Sequence, residues 1–340
     1  MPIEGDILVD LTVTEGVFSR VDIRNQRLLT ATAPLVGRPA SDVPALVTRL
    51  FSICRVAQGL ASVAAVERAQ GVAPAAAQLA ARRFLLAGET VLEHAGRVCL
   101  DWTQLLGEPP ALLVLKSLRA TLADLPQSIF PKGDWVRPGG GALHLDAARL
   151  REGLIAVKAG LGLVVFGATP PLDAERWTAW LAAGETVASR LAHRWRADGL
   201  ADYGATTLPA LPAFEPDRLE SRLAADHDGD FVVRPDWKDA HFFTGPLARQ
   251  QHHPVVAAVV GAFGRGLLAQ LAARVIELER LMREMQDFAD GLCDDNPSQF
   301  MASSHAHGVA IVEAARGRLA HRVEIKDGRV TRYQILAPPE

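Results

Sequence analysis

Three aspartates at alternate positions, Asp226, Asp228 and Asp230, are the first group in this 340-residue sequence whose type and spacing could bind a metal ion. They begin like a calcium loop, in which carboxylates at odd positions are followed by a glycine for the sharp turn and by a closing glutamate. Here the glycine is misplaced and no glutamate stands at the closing position. The pattern therefore favours a solvated acidic loop over a calcium site.

Two pairs of closely spaced histidines, His252-His253 and His305/His307, form the second group. Imidazole is a common ligand of transition metals, but a complete site needs further ligands. No carboxylate or thiolate near either pair completes a set, so we interpret these histidines as surface or helix-cap residues. The glycine run 139–141 matches neither a GxGxxG motif nor a phosphate-binding loop, and it indicates a turn.

The cysteines Cys54, Cys99 and Cys293 form the third group. Their odd number and wide spacing, without a CxxC pair, argue against a disulfide framework and indicate a reducing compartment, which predicts a cytoplasmic protein. Cys99 and Cys293 lie in helical patterns and are predicted to be buried, inert thiols. Cys54 lies in the apolar segment LVTRLFSICRVA, which also reads as a helix, so a plain core position is an open interpretation for Cys54 as well.

The composition, with 49% hydrophobic and 22% charged residues, is typical of a globular protein with a sizeable core. A formal net charge of -3 provides no basic field that would attract nucleic acid. The most apolar stretch, 254–263, is too short to span a bilayer. The N-terminal segment MPIEGDILVD lacks the basic region of a signal peptide. We therefore expect neither nucleic-acid binding nor membrane insertion.

Two hairpins are predicted near the ends of the chain, at about 7–23 and 319–336. Apolar residues alternate loosely in each, and each contains a turn signal, Asp327-Gly328 being the stronger. Because an isolated two-stranded hairpin is only marginally stable, we expect both hairpins to share one small sheet or to lie on the same helical core.

Helical patterns fill the middle of the chain, and apolar periodicity with start signals predicts the helices. They cover 42–66, 74–106, 146–160, 173–197 and 254–292. We expect the first half of the last helix to be the buried centre of the molecule. The sequence thus predicts a mainly α protein with small β-hairpins, an α+β fold, in which residues 1–340 form a single domain around a helical core at about 42–292.

The segment that begins at Gly37, GRPASDVPALVTRLFSICRVAQGLAS, resembles the first metal-binding motif of the nickel–iron hydrogenase large subunit. That family's pattern is G-R-x-x-x-D, a spacer, and then R-x-C-G-x-C-x-x-A-H-x-x-A. The residues in register without a gap are Gly37, Arg38, Asp42, Arg49, Cys54, Ala57 and Ala61. Phe51 replaces the first cysteine, Ser52 the glycine and Gln58 the histidine.

Other short motifs follow in the order that the family has them. They are Ile3-Glu4-Gly5 for R-I-E-G-H, Glu93-His94 for D-H, Pro138-Gly139-Gly140 for P-G-G, GPLAR at 245–249 without change, and VEAARG at 312–317 for V-E-A-P-R-G. The stretch from there to Pro338 runs in register and includes His321, Tyr333 and Gln334. Each motif is short, but their common order makes the resemblance specific.

The resemblance implies a large-subunit helical bundle that lacks its C-terminal portion, because the chain stops at Glu340, where the family's second cysteine pair and terminal histidine would follow. Four thiolates hold nickel in that family, and two of them bridge to an iron that carries cyanide and carbon monoxide; this chain can offer only Cys54. Leu29-Thr30-Ala31-Thr32 stands where the family's RGxE motif helps to bind magnesium. We therefore expect no nickel, no magnesium and no enzyme activity.

The resemblance also assigns roles to three residues. Cys54 matches a bridging cysteine, Glu4 matches the proton-relay glutamate, and Arg316 matches the arginine that overhangs the metals. A guanidinium can donate hydrogen bonds to anionic ligands such as cyanide. An incomplete ligand set in a retained cavity suits a carrier, and the pattern is similar to the HupK/HoxV branch of the family, whose members are scaffolds in hydrogenase maturation.

On this hypothesis the chain transiently binds an Fe(CN)2(CO) precursor through Cys54, with Glu4 and Arg316 beside it. The implied partners are a HypC-type chaperone, which delivers the iron unit, and the true hydrogenase large subunit, which receives it. Two alternatives remain open. One is a metal-free mimic that stabilises maturation complexes, and the other is a catalytic subunit that recruits its missing ligands from another chain.

Overall fold

The computed structural model describes residues 7–25, 29–291 and 306–338. Strands β1 (Ile7–Thr14) and β2 (Val17–Asn25) pair antiparallel and form the predicted N-terminal hairpin. Glu15 and Gly16 between them both have positive φ angles, 52° and 78°, which is the geometry of the favoured two-residue hairpin turns. Most apolar side chains of this hairpin are exposed.

The first long predicted helix is in fact two helices. A short 3-10 helix (Leu29–Leu35) precedes α1 (Val43–Leu50), and α2 (Arg55–Gln70) follows after a turn. The prediction of one helix over 42–66 is wrong, because the backbone leaves the helical region at Phe51 (φ -115°, ψ 80°). Phe51 packs against the core that α1 and α2 share, so the turn lets both helices bury an apolar face.

The helix predicted over 74–106 is present almost as predicted. Helix α3 (Ala76–Arg97) continues through a π-helical turn (Val98–Trp102) into α4 (Thr103–Leu106), which agrees with the prediction over 74–106. Helix α5 (Leu112–Asp124), which the sequence analysis did not predict, packs against α3 and α6 (Ala147–Leu161). Helix α6 begins where predicted.

The next predicted helix, over 173–197, is interrupted. It consists of α7 (Ala174–Ala183) and α8 (Val187–Ala197). Thr186 starts α8 because its hydroxyl accepts a hydrogen bond from the backbone N–H of Ser189, whose own hydroxyl accepts one from the N–H of Thr186. This reciprocal pair is a capping box, which sets a helix start from local chemistry.

Five further helices follow among the residues that the structure describes, and the last of them has the most buried residues. They are α9 (Pro216–Ala225), α10 (Asp230–Val233), α11 (Pro246–Gln250), α12 (Pro254–Phe263) and α13 (Leu267–Ala289). The predicted helix over 254–292 is therefore interrupted, because Gly264 has a positive φ of 69° and ends α12. The first half was expected to be the buried centre, and the buried residues are in fact spread over both halves of the predicted helix. Helix α13 carries most of the buried residues and packs on α3, α11 and α12.

The C-terminal sheet has three antiparallel strands in the order β3 (His307–Ala314), β4 (Gly317–Lys326) and β5 (Arg329–Leu336). The predicted 319–336 hairpin is confirmed as β4 and β5, whereas β3 was not predicted as a strand. The N-terminal hairpin forms a separate two-stranded sheet, which excludes one of the two alternatives that were expected, a sheet shared by both hairpins.

The C-terminal sheet packs one face directly on α2. A Cβ atom added to Gly308 would lie 2.3 Å from the carbonyl oxygen of Ala65 and 2.6 Å from the backbone nitrogen of Ala69. Helix α9 and the segment after it cover the other face. This close contact fixes the sheet relative to the N-terminus of α2, and the residues of the candidate site lie on these elements and on α3.

Candidate functional site

Cys54 occupies the N-cap position of α2 and is half-buried. It therefore does not lie within a helix, as the sequence pattern suggested, but at the end of the turn 51–54. The first N–H groups of a helix have no partner within the helix and need acceptors from elsewhere. Glu89 of α3 supplies them: Oε1 accepts from the N–H of Val56 at 2.6 Å, and Oε2 accepts from the N–H of Ala57 at 2.9 Å. A carboxylate on α3 thus holds the turn that carries Cys54.

Glu89 is a half-buried acid whose pKa lies far from its ordinary value. Burial raises the pKa, the two backbone N–H groups lower it, and the neighbouring carboxylate of Glu93 raises it further, so that the pKa is about 7. A cavity of about 440 Å³ adjoins it, and its lining includes Ser52, Arg55, Glu89 and Glu93. Cys54 and Arg316 are not among the lining residues.

The sequence analysis did not single out Glu89. A signal was present, since Glu89 stands four residues after Leu85 and three before Leu92 and therefore shares their face of α3. A carboxylate on an apolar helix face usually has a dedicated partner when it is removed from solvent. The sequence alone did not show that this partner would be the start of another helix.

The sulfur of Cys54 contacts one member of a chain of hydrogen bonds whose other members are buried. Gln58 places its Nε2 3.7 Å from the Cys54 Sγ, and its Oε1 is 2.8 Å from Nε2 of His321 on β4. The other ring nitrogen of His321, Nδ1, is 2.7 Å from the hydroxyl of Tyr333 on β5. We call Cys54, Gln58, His321 and Tyr333 the thiol relay.

Burial controls the charge of the relay. His321 is fully buried, and burial lowers its pKa to about 3, so its ring is neutral at physiological pH. Burial likewise raises the pKa of Tyr333 above its ordinary value, so its hydroxyl keeps its proton. Sequence analysis placed Gln58 where the family has a histidine, and His321 and Tyr333 in register with the family, but it did not predict their contact.

Arg316 lies in the turn between β3 and β4, and its side chain is 52% exposed. Its Nη2 is 3.6 Å from a carboxylate oxygen of Glu93, one helical turn along α3 from Glu89. The structure therefore brings Arg316 to the helix that holds the Cys54 turn. Glu4, the third predicted site residue, lies outside the described residues.

A largely buried cluster of ionisable residues, Arg249, Glu277 and His94, which we call the ion cluster, lies next to the β3–β4 turn that carries Arg316. Glu277 of α13 accepts from Nε and Nη2 of Arg249 at 2.6 and 2.8 Å, and lies 2.8 Å from Nε2 of His94. Burial by itself would raise the pKa of Glu277, but the hydrogen bonds from Arg249 and His94 hold it well below its usual range. Arg249 also donates to the carbonyl oxygen of Ala314 at 3.1 Å, so this cluster joins α3, α11 and α13 to the end of β3.

The other metal-ligand candidates have structural roles where they are described. Within 7–25, 29–291 and 306–338, His, Cys, Asp and Glu residues do not form any group of three or more that could hold a metal ion. Asp226 accepts from the N–H groups of Phe231 and Val232 at the start of α10. His253 accepts from the N–H of Val255 and caps α12, as predicted. Cys293 and His305 lie outside the described residues.

The glycine run near 139 is a turn, as predicted. Gly139 and Gly140 have positive φ angles of 80° and 117°. The N–H of Gly139 donates to Glu67 of α2 at 2.8 Å, and the same carboxylate pairs with the buried Arg82 of α3. Cys99 is buried in the π-helical turn, and burial raises its thiol pKa to about 11, which agrees with the prediction of an inert core thiol.

Comparisons with known proteins show the family to which the chain is similar. Residues 215–339 match the family described as nickel-dependent hydrogenase. The chain is 30% identical, over 94% of its own length and 80% of the relative's, to the hydrogenase expression/formation protein HoxV of Cupriavidus necator. It is 26% identical to the HupK protein of Bradyrhizobium diazoefficiens over 98% of this chain and 84% of that relative.

A solved NAD+-reducing [NiFe]-hydrogenase has the same fold. The superposition has a TM-score of 0.68 at 19% sequence identity and covers 98% of this chain and 86% of the hydrogenase chain. The chain belongs to the nickel–iron hydrogenase large-subunit family, and within it to the HoxV/HupK group. The predicted fold class, a mainly α large-subunit bundle with small sheets, is confirmed. Among the described residues, no helix has both the length and the apolarity to cross a membrane.

Proposed function

We propose that this chain is an accessory protein of nickel–iron hydrogenase maturation that transiently holds an Fe(CN)2(CO) unit through the sulfur of Cys54. The relatives HoxV and HupK are named hydrogenase expression/formation proteins, which supports a role in maturation. The chain acts as a carrier and not as an enzyme. The iron unit is its cargo, and nickel and magnesium are not required.

The observation that carries the proposal is the position of Cys54 as a half-buried thiol on a turn that other residues hold in place. Phe51, which stands where the family has its first cysteine, packs into the core and cannot act as a ligand. Soft thiolates are the ligands that iron of this kind prefers, and their number decides how firmly a metal is held. A single thiolate therefore favours transfer over permanent retention.

Arg316 supplies the second part of the proposed site. A guanidinium carries five N–H donors, and the contact with Glu93 uses one of its nitrogens. A half-exposed guanidinium is therefore able to donate hydrogen bonds to cyanide ligands. We propose that Glu4, which matches the family's proton-relay glutamate, also belongs to the cargo-binding site, on the basis of its register. A HypC-type chaperone as donor and the true large subunit as acceptor complete the proposed route.

The experiment is anaerobic purification of the chain after co-expression with the maturation proteins, followed by infrared spectroscopy. We expect cyanide and carbonyl stretching bands from the wild-type protein and their loss in Cys54→Ala. Cys99→Ala is the matched control, because it removes a buried thiol from another helix of the same protein, and it should keep the bands. Bands that persist in Cys54→Ala, or that never occur in the wild type, would exclude direct carriage.

The second candidate function, a metal-free mimic of the large subunit, has one specific observation in its favour. Phe51 and Gln58 occupy positions of functional groups in the family, and both are used here in internal contacts. Such a protein would stabilise a maturation complex through its shape alone. Cys54→Ala would then support hydrogenase maturation in cells as well as the wild type does, whereas the carrier function predicts its loss.

A further inference from the structure

We propose that Gln58 is a positioning residue for Cys54, and that the thiol relay is directed so that the sulfur always accepts a hydrogen bond. This inference deepens the proposed function, since it concerns the same sulfur. It arises from four side chains on α2, β4 and β5 that sequence reasoning did not bring together.

The relay has only two self-consistent directions. A neutral imidazole has one donor nitrogen and one acceptor nitrogen, and a primary amide has a donor end and an acceptor end. In the forward direction the Tyr333 hydroxyl donates to Nδ1 of His321, Nε2–H donates to Oε1 of Gln58, and Nε2 of Gln58 donates to the sulfur. In the reverse direction every role is exchanged, and the thiol of Cys54 donates to the amide oxygen.

The geometry selects the forward direction. The Nε2 of Gln58, and not its Oε1, faces the sulfur at 3.7 Å, while its Oε1 faces Nε2 of His321 at 2.8 Å. Because Gln58 is only 5% exposed and His321 is fully buried, reorienting the amide would leave a donor facing a donor unless the His321 tautomer changed with it. The orientation of the amide and the tautomer of the buried imidazole can therefore change only together.

The consequence for Cys54 is chemical. A metal ligand must be a thiolate, and an N–H donor stabilises negative charge on sulfur, whereas an acceptor at the same place would retain the thiol proton. The forward relay thus favours the thiolate form of Cys54, which can bind a metal cation. The hydrogen bond from Gln58 also fixes the orientation of the Cys54 side chain. The protein achieves this with a neutral amide, so that no buried charge is placed beside the sulfur.

The first test measures the tautomer of His321 by long-range 1H–15N correlation NMR on the iron-free protein, with His321→Asn used for assignment. The forward relay requires the Nε2–H tautomer. Observation of the Nδ1–H tautomer would overturn the proposal, because that tautomer belongs to the reverse direction. This test needs no iron, so it stands or fails independently of the infrared experiment on the cargo.

The second test measures the rate at which iodoacetamide alkylates Cys54 in the iron-free protein at pH 7, read by mass spectrometry of the Cys54 peptide. Gln58→Glu keeps an acceptor for His321 but removes the donor to sulfur, and Gln58→Leu removes both. Loss of a hydrogen bond to the Cys54 thiolate lowers the population of the thiolate, relative to the thiol, by roughly tenfold. The thiolate that remains is more basic and therefore more nucleophilic, which partly offsets its smaller population. We therefore expect alkylation of Cys54 to slow by about threefold.

Controls separate this effect from general damage to the fold. Gln78→Glu replaces another buried glutamine, which bonds to the carbonyl oxygen of Gly141, and should leave the Cys54 rate unchanged. Gln58→His restores an N–H donor and should recover most of the rate.

If the Gln58 variants do not fold, Tyr333→Phe removes only the hydroxyl that faces Nδ1 of His321. Oε1 of Gln58 still accepts from Nε2–H, so the forward relay predicts that this variant keeps the Nε2–H tautomer. Wild-type rates in both Gln58→Glu and Gln58→Leu, or the Nδ1–H tautomer in Tyr333→Phe, would contradict the relay.

Discussion

Replacing Glu89 by glutamine should make the stability of the protein depend less steeply on pH. Glu89 is half-buried and has a pKa of about 7 in the folded protein, against 4.5 for an unperturbed glutamate. The folded state therefore holds this proton more tightly than the unfolded state does. The stabilisation from the protonated carboxyl is fully present below pH 4.5 and is lost as the pH rises through 7.

The size of the effect follows from the two pKa values. One pKa unit corresponds to about 1.4 kcal/mol, so the full pH-dependent change is about 3 kcal/mol. About 2.5 kcal/mol of it falls between pH 5 and pH 8. Glu89→Gln cannot ionise, and its amide also presents a donor to one of the two N–H groups at the start of α2, which is a cost that does not vary with pH. The informative quantity is therefore the difference in the free energy of unfolding between Glu89→Gln and the wild type, and how this difference changes with pH.

Urea unfolding at pH 5, 6, 7 and 8 measures this difference. We expect the free energy of unfolding of Glu89→Gln, relative to the wild type, to rise by about 2 to 3 kcal/mol from pH 5 to pH 8. Glu152→Gln, on the exposed face of α6, is the control and should show no comparable trend. A difference that stays constant over this pH range would refute the reasoning, because Glu89 would then ionise as it does in the unfolded chain.

Two further stability predictions concern packing and buried charge. Arg249→Met should cost about 3 to 5 kcal/mol, because Glu277 would remain as a buried carboxylate without its principal partner; urea unfolding checks this, and a loss below about 1 kcal/mol would contradict the ion cluster. Gly308→Ala should cost about 1 to 3 kcal/mol, since the new methyl group would overlap the backbone of α2. Gly96→Ala, where a Cβ meets nothing within 4 Å, is its control and should be neutral or slightly stabilising in the same assay. If Gly308→Ala and Gly96→Ala had equal free energies of unfolding, the close contact between Gly308 and the backbone of α2 would be contradicted.

Local signals in the sequence predicted the elements that local chemistry determines. The Asp-Gly turn located the β4–β5 hairpin, and the carboxylate of Asp146 caps α6 where the pattern placed its start. The strand β3 was missed because its residues were interpreted only as a family motif. Motifs in common order were sufficient for the family and the fold class.

The details of the site depend on contacts that no local pattern contains. The apolar periodicity through Cys54 gave no sign of a helix break, because the acceptor that starts α2 is Glu89, more than thirty residues further along the chain. The relay joins Gln58 to His321, which are separated by 263 positions. In both cases a polar residue in an apolar segment was visible in the sequence, but its partner was supplied by the tertiary fold.

The most direct measurement of the central claim is iron K-edge X-ray absorption on the anaerobically purified, iron-loaded protein. If the Cys54 sulfur holds the Fe(CN)2(CO) unit, the spectrum contains one iron–sulfur scattering path in the wild type and in Cys99→Ala, and none in Cys54→Ala. An iron unit that binds without any sulfur neighbour, or whose sulfur path survives in Cys54→Ala, would contradict the claim.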